Sequence, residues 1–163
     1  MVKVFISHSM KDSHLVDLVQ KYLKAYNIES YLAERDYQSG ELLSQKIMQN
    51  ISESDYFLIV YSHHGKDSRY IREEIGYWTG KNNTNNLLPF VERGIDPEDF
   101  LCGVEFIEFD PLDPQIGFLN TINYINRQVI MKQDQLAFDI GIGIGLLSLA
   151  SLIFYGIYQL ENE

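Results

Sequence analysis

The chain has 163 residues, 45% apolar and 22% charged, which suits one globular domain plus an appendage. A formal net charge of −10 and a pI near 4.8 speak against a nucleic-acid groove, because phosphate contacts need clustered Lys and Arg. The single cysteine, Cys102, cannot form an internal disulfide, so nothing ties the chain to an oxidising compartment.

Short apolar runs alternate with amphipathic stretches from the start. The opening "MVKVFISHS" turns polar too soon for a secretory signal. Within it Val2 to Ser7 is rich in β-branched and aromatic residues and reads as a buried strand. Asp12 or Ser13 can cap the helix that follows, with Leu15, Leu18, Val19, Tyr22 and Leu23 on one face. Ile28 to Ala33 reads as a second strand, "ERDYQSG" as a loop, and Leu42 to Ile51 as a helix with Leu43, Ile47 and Ile51 turned inward. Asp55 to Ser62, "DYFLIVYS", is continuously apolar, as a parallel strand covered on both faces must be. A helix is expected from Ser68 to Trp78, then a strand from Asn86 to Glu92. Pro89 implies that this strand is irregular or has a backbone position that needs no N–H partner. Val104 to Phe109 closes the series, and a helix from Pro114 to Gln133 ends the domain, 1–133.

After a short linker, 134–139, residues Ile140 to Leu160 carry no charge at all. At about 1.5 Å per residue such a helix spans roughly 31 Å, near the thickness of a bilayer hydrocarbon core. It is apolar on every face, whereas a small domain covers only one, so the segment is expected to be a single-pass transmembrane helix before a tail, 161–163. Tyr155 and Tyr158 suit the far interface, and Arg127 and Lys132 before the span predict a cytoplasmic domain. Gly141 and Gly145 form a GxxxG pair that permits close helix–helix approach.

Strands alternating with helices predict an α/β fold with a parallel sheet. Ligands bind such sheets beyond the carboxyl ends of the strands, at a topological switch point. That directs attention to Ser7 to Asp12, Glu34 to Gly40, and Ser62 to Ser68 with the helix after it. "SRYIREEIGYW" places Glu73 and Glu74 side by side there. Neighbours on a helix stand about 100° apart, so the two cannot enter one pocket equally well. His63 and His64, also adjacent, do not suit joint metal chelation, and no metal site is expected. "GIGIG" mimics a nucleotide-binding glycine run but has no strand before it.

Three of these stretches together resemble a Toll/interleukin-1 receptor (TIR) domain. "KVFISHSMKD" is similar to the family's first box, "ERDYQSGELLSQKIMQNISESDYFLIVYS" to its second box with the BB loop, and "SRYIREEIGYW" to the helix C motif of TIR enzymes. The resemblance covers about residues 2 to 130 and implies a flavodoxin-like, five-stranded parallel sheet of order 2-1-3-4-5, flanked by helices. It also implies NAD+ as substrate, cleaved between nicotinamide and ribose, with no further cofactor.

Carried onto this sequence, the catalytic glutamate is Glu74, four residues after Tyr70, which stands where the family usually has Trp. Glu73 is then left to solvent or the pocket rim. Phe5, Ser7, Ser9 and Tyr70 become candidates for contact with the nucleotide. Phe5 in such a strand is more often a core residue, Ser9 also suits a turn, and Tyr70 also suits a packed core aromatic. Arg35 and Asp36 fit the loop that touches the nucleotide or a neighbouring subunit, and Ser39 replaces the family's Pro before Gly40. The resemblance therefore implies a membrane-anchored NAD+ hydrolase of a defence or cell-death type, active as a homo-oligomer. Two rivals are a membrane-anchored adaptor that only docks other TIR domains, and a nucleotide binder that does not consume its ligand.

Overall fold

A computed structural model describes residues 1–32, 45–81, 86–97, 101 and 103–161, without the side chains of 137 and 140–161. Arg35, Asp36, Ser39, Gly40 and Leu43 lie outside the described residues. Five parallel strands form one sheet in the order β2-β1-β3-β4-β5: β1 (Lys3–Ser7), β2 (Glu29–Leu32), β3 (Tyr56–Tyr61), β4 (Leu87–Glu92) and β5 (Ile107–Phe109). A 3-10 turn (Met10–Asp12) leads into α1 (Ser13–Ala25), and α2 (Gln45–Ser52), α3 (Arg69–Lys81) and α4 (Gln115–Glu161) follow in chain order. The expected fold class and strand order are both present.

The helices cover both faces of the sheet, which is why β3 is buried at every position. Alternation along the strands sorts the side chains. Phe5, Phe57, Ile59, Tyr61, Leu87 and Val91 share one cluster with Ile51 of α2 and Ile71, Ile75 and Trp78 of α3. On the opposite face Leu58 and Phe90 meet Val19, Tyr22 and Leu23 of α1 and Phe118 and Ile122 of α4. Each fully buried side chain of this size contributes about 1.5–3 kcal/mol relative to exposure. The centre of α1's inner face is Val16, Val19 and Leu23, not the line through Leu15, Leu18 and Tyr22, which are only half-buried. Both stripes have helical spacing, and packing chose the one with the smaller side chain at its first turn.

One strand meets the second of its two expectations and another is shorter than expected. β4 is regular, with Pro89 opposite Ile59, and β5 pairs with it only from Phe90 onward. At Pro89 that flank of β4 therefore has no strand asking for an amide hydrogen. The last strand is three residues long rather than the expected Val104 to Phe109: it pairs only with Phe90 to Glu92, and one step further back in this parallel register stands Pro89, which has no amide hydrogen to give. Gly117 lets α4 close on the sheet: a Cβ there would stand 2.7 Å from the Phe90 ring and 2.9 Å from Phe109 Cβ.

The chain divides into two compact units, Met1–Ile122 with the whole sheet and Asn123–Glu163 with the remainder of α4. The helix runs unbroken through 134–139, where the sequence suggested a linker and where neither Gly nor Pro occurs. Among the described residues no helix is long and apolar enough to cross a membrane, and the side chains of 140–160 are not part of that description.

Candidate active site at the β1–β3 switch point

The chain leaves β1 toward β2 on one side and returns to β3 on the other, so the crevice of an open sheet falls between the carboxyl ends of β1 and β3. Ser7 ends β1 and Ser62 directly follows β3, and both are buried. Successive side chains of a strand face opposite ways, so Ser7 shares the Phe5 face and Ser62 the Leu58 face. Each serine holds a buried carboxylate from another element.

On the α3 face the Ser7 hydroxyl donates to Glu74 Oε2 at 2.5 Å. Glu74 is 1% exposed. Its place follows from helix α3. Ser68 caps it, its Oγ accepting from Ile71 N at 3.5 Å, and Ile71, Glu74, Ile75 and Trp78 then form the inward stripe at helical spacing. Glu73, one residue away, is turned outward, where Oε1 accepts from Arg69 Nε at 2.6 Å. The structure thus separates the paired glutamates into one inner and one outer carboxylate.

On the α1 face the Ser62 hydroxyl donates to Asp12 Oδ2 at 2.6 Å. Asp12 does not cap α1 through its side chain, contrary to the sequence reading. The carboxylate is drawn across the sheet to Ser62 instead. Burial pushes its pKa above the usual carboxylate value. The Ser62 hydrogen bond and His64 pull the other way, and Glu92 adds to the rise. Glu92, at the end of β4, accepts from His63 N at 2.9 Å and lies 2.9 Å from His63 Nδ1. The loop after β3 is therefore attached on the β1 side through Asp12 and on the β4 side through Glu92.

The TIR-domain family model matches residues 4–122, the span of the sheet and its helices. The chain belongs to the TIR domain family. Among solved structures it is similar to the TIR domain of the Toll-related receptor TRR-2 from Hydra magnipapillata, at 20% identity over 76% of this chain and 97% of that one, with a TM-score of 0.59. It is also similar to a prokaryotic SEFIR domain, at 16% identity over 74% and 90% of the two chains and a TM-score of 0.57. A weaker match, with a TM-score of 0.46 and 20% identity over 57% of this chain and 58% of that one, is to the TIR domains of the activated Roq1 resistosome recognising the pathogen effector XopQ. No curated protein sequence matches the chain.

Within this TIR domain the other candidates fall in different places. Phe5 is fully buried, its ring stacked on Phe57 with centroids 5.2 Å apart and tilted against Tyr31 at 5.7 Å. It floors the Glu74 side of the sheet from within the core. Ser9 shapes the turn before α1: its carbonyl accepts from Asp12 N at 2.9 Å and its hydroxyl from Lys11 N at 3.4 Å. Tyr70 is half-buried one helical turn before Glu74. Arg35 and Asp36 lie outside the described residues. Asp12 and Ser62 lie in stretches the sequence singled out, but their pairing was not foreseen. Their signal was positional: both follow the carboxyl end of a strand, Asp12 at the end of the 3-10 turn after β1 and Ser62 directly after β3.

Proposed function

We propose that this TIR domain hydrolyses NAD+ between nicotinamide and ribose, with Glu74 as the catalytic residue. The observation that carries the reading is a buried glutamate whose carboxylate accepts a hydroxyl hydrogen at the switch point of the sheet. Breaking the C–N bond builds positive charge on the ribose. A carboxylate that accepts from the ribose hydroxyls in place of Ser7 binds more strongly as that charge grows, and such differential binding lowers the barrier. Nicotinamide leaves as a neutral molecule from a cationic ring, so one carboxylate suffices where an ordinary glycosidase needs two. Low dielectric around Glu74 strengthens the attraction.

The reading extends to the rest of the chain. The uncharged span Ile140–Leu160 anchors the protein in a bilayer as a single pass, with the TIR domain on the cytoplasmic side. Confinement to two dimensions raises the effective concentration of subunits. Self-association through TIR surfaces, helped by the Gly141/Gly145 helix face and the 33–44 segment with Arg35 and Asp36, then switches on activity in a defence or cell-death role.

A second reading is a membrane-anchored TIR–TIR adaptor. It is favoured by the same burial of Glu74, which a carboxylate serving only the fold also shows. Incubating full-length protein in vesicles with NAD+ and following nicotinamide release separates the two. The hydrolase reading expects turnover that Glu74→Gln removes, and equal turnover in parent and variant sinks it.

A further inference from the structure

Asp12 takes no part in the reaction just proposed, yet its carboxylate is buried beside the carboxyl end of β3, where it accepts the Ser62 hydroxyl hydrogen. A hydroxyl carries one hydrogen. With that hydrogen given to Asp12, the lone pairs of Ser62 Oγ face the loop and accept from His64 N at 3.0 Å and Gly65 N at 2.9 Å. The Ser62 carbonyl accepts from Gly65 N and Lys66 N, each at 2.9 Å, and the Gly65 carbonyl accepts from Ser68 N at 2.9 Å. Ser68 in turn caps α3, and Arg72 Nη2 of its first turns donates to the Lys66 carbonyl at 3.0 Å. The loop is folded so tightly that a Cβ on Gly65 would stand 2.7 Å from the Val60 carbonyl oxygen. An unbroken series of hydrogen bonds thus joins Asp12 to the start of the helix that carries Tyr70 and Glu74.

We propose that Asp12 is a positioning residue for Glu74: its carboxylate fixes the Ser62 hydroxyl, which folds the 62–68 loop and sets the first turn of α3. The inference rests on the reading of Glu74 as the reactive carboxylate. Asp12 and Glu74 face opposite sides of the sheet, so Asp12 acts through the loop and not on the substrate.

The test uses full-length parent, Asp12→Ala and Asp12→Asn in detergent or vesicles, with two readouts. Hydrogen–deuterium exchange of the 62–68 segment should lose about tenfold or more of its protection in Asp12→Ala while β1 and β3 keep theirs. Asp12→Asn should restore it, since the amide oxygen can accept the same hydrogen. NAD+ kinetics should show kcat lowered about tenfold or more in Asp12→Ala, KM changed by less than about twofold, and recovery in Asp12→Asn. Protection within about twofold of the parent in Asp12→Ala overturns the proposal. So does an equal loss across the whole sheet, or a loosened loop with an unchanged kcat. If the parent releases no nicotinamide at all, the hydrolase reading fails by itself, and the exchange data alone decide whether Asp12 sets this loop.

Discussion

Ser7, the last residue of β1, holds Glu74 of α3 by a 2.5 Å hydrogen bond that spans 67 positions of sequence. The bond fixes the carboxylate over the end of the strand, the place where an open α/β sheet receives its ligand. Glu74→Gln keeps the shape and the ability to accept from Ser7 but removes the charge. It is expected to lower the kcat for nicotinamide release by about 10²-fold or more, in line with the loss of one preorganised electrostatic group. Ser7→Ala removes one resting partner of the carboxylate and should keep roughly a tenth or more of the parental kcat. The two variants measured side by side, with circular dichroism to confirm folding, check the order of effects. A larger loss in Ser7→Ala than in Glu74→Gln would reverse the assignment.

The separation of Glu73 from Glu74 is legible in the sequence, because a 100° step on a helix leaves room for only one of them inside. The strands were legible for a similar reason: runs such as "FLIVY" suit a two-sided burial that few other settings offer. Asp12 was not legible. Ser and Asp ahead of a helix read as capping residues, and the real partner, Ser62, is 50 positions away. Local pattern fixes which residues can form a turn, and only the meeting of β1 with β3 decides where a side chain in that turn goes. The inner face of α1 was displaced in the same way, since Val16 and Leu15 both fit the period and the sheet surface chose between them.

Asp12 also predicts a pH dependence of stability. Its pKa is raised in the fold above 3.8, chiefly by burial, so the folded state holds the proton at pH values where the unfolded chain has released it. Stability from this group is therefore highest below the unfolded value. It falls as pH rises through the interval between the two pKa values, and stays at the lower level above the folded one. Asp12→Asn cannot lose a proton and escapes that decline. Thermal denaturation of parent and Asp12→Asn across acid to neutral pH should show a gap in Tm that favours the variant and widens as pH rises above 3.8. A gap that is constant with pH would remove Asp12 from the titration.

Glycines of this domain divide by what surrounds them. A Cβ at Gly117 would stand 2.7 Å from a ring atom of Phe90, which is itself stacked on Phe109 at 4.2 Å and on Phe118 at 5.5 Å. Rings held from both sides cannot move aside, so Gly117→Ala is expected to destabilise the domain by about 1–3 kcal/mol. Gly76 in α3 meets nothing within 4 Å, and Gly76→Ala should stabilise by about 0.5–1 kcal/mol through helix propensity alone. Urea denaturation of both variants tests the contrast. Equal effects would mean that α4 does not press on the sheet as closely as its glycine implies.

The membrane assignment makes the last prediction. The helix of α4 is continuous to Glu161, and its Ile140–Leu160 stretch carries no charge over roughly 31 Å of rise. Full-length protein is expected to float with phospholipid vesicles on a density gradient and to resist extraction at alkaline pH. Placing a lysine at the middle of the stretch, Leu149→Lys, adds about 2.5–3.5 kcal/mol to insertion, and a second, Leu152→Lys, adds a similar amount. The double variant should shift to the unbound fraction while the sheet, which lies wholly within Met1–Ile122, keeps its fold. If anchoring also drives activity, that variant should turn over NAD+ slowly in dilute solution and recover when subunits are crowded on a surface by an engineered tag, because proximity alone replaces the bilayer. Parent protein that stays at the bottom of the gradient would leave the apolar stretch to an interface between chains.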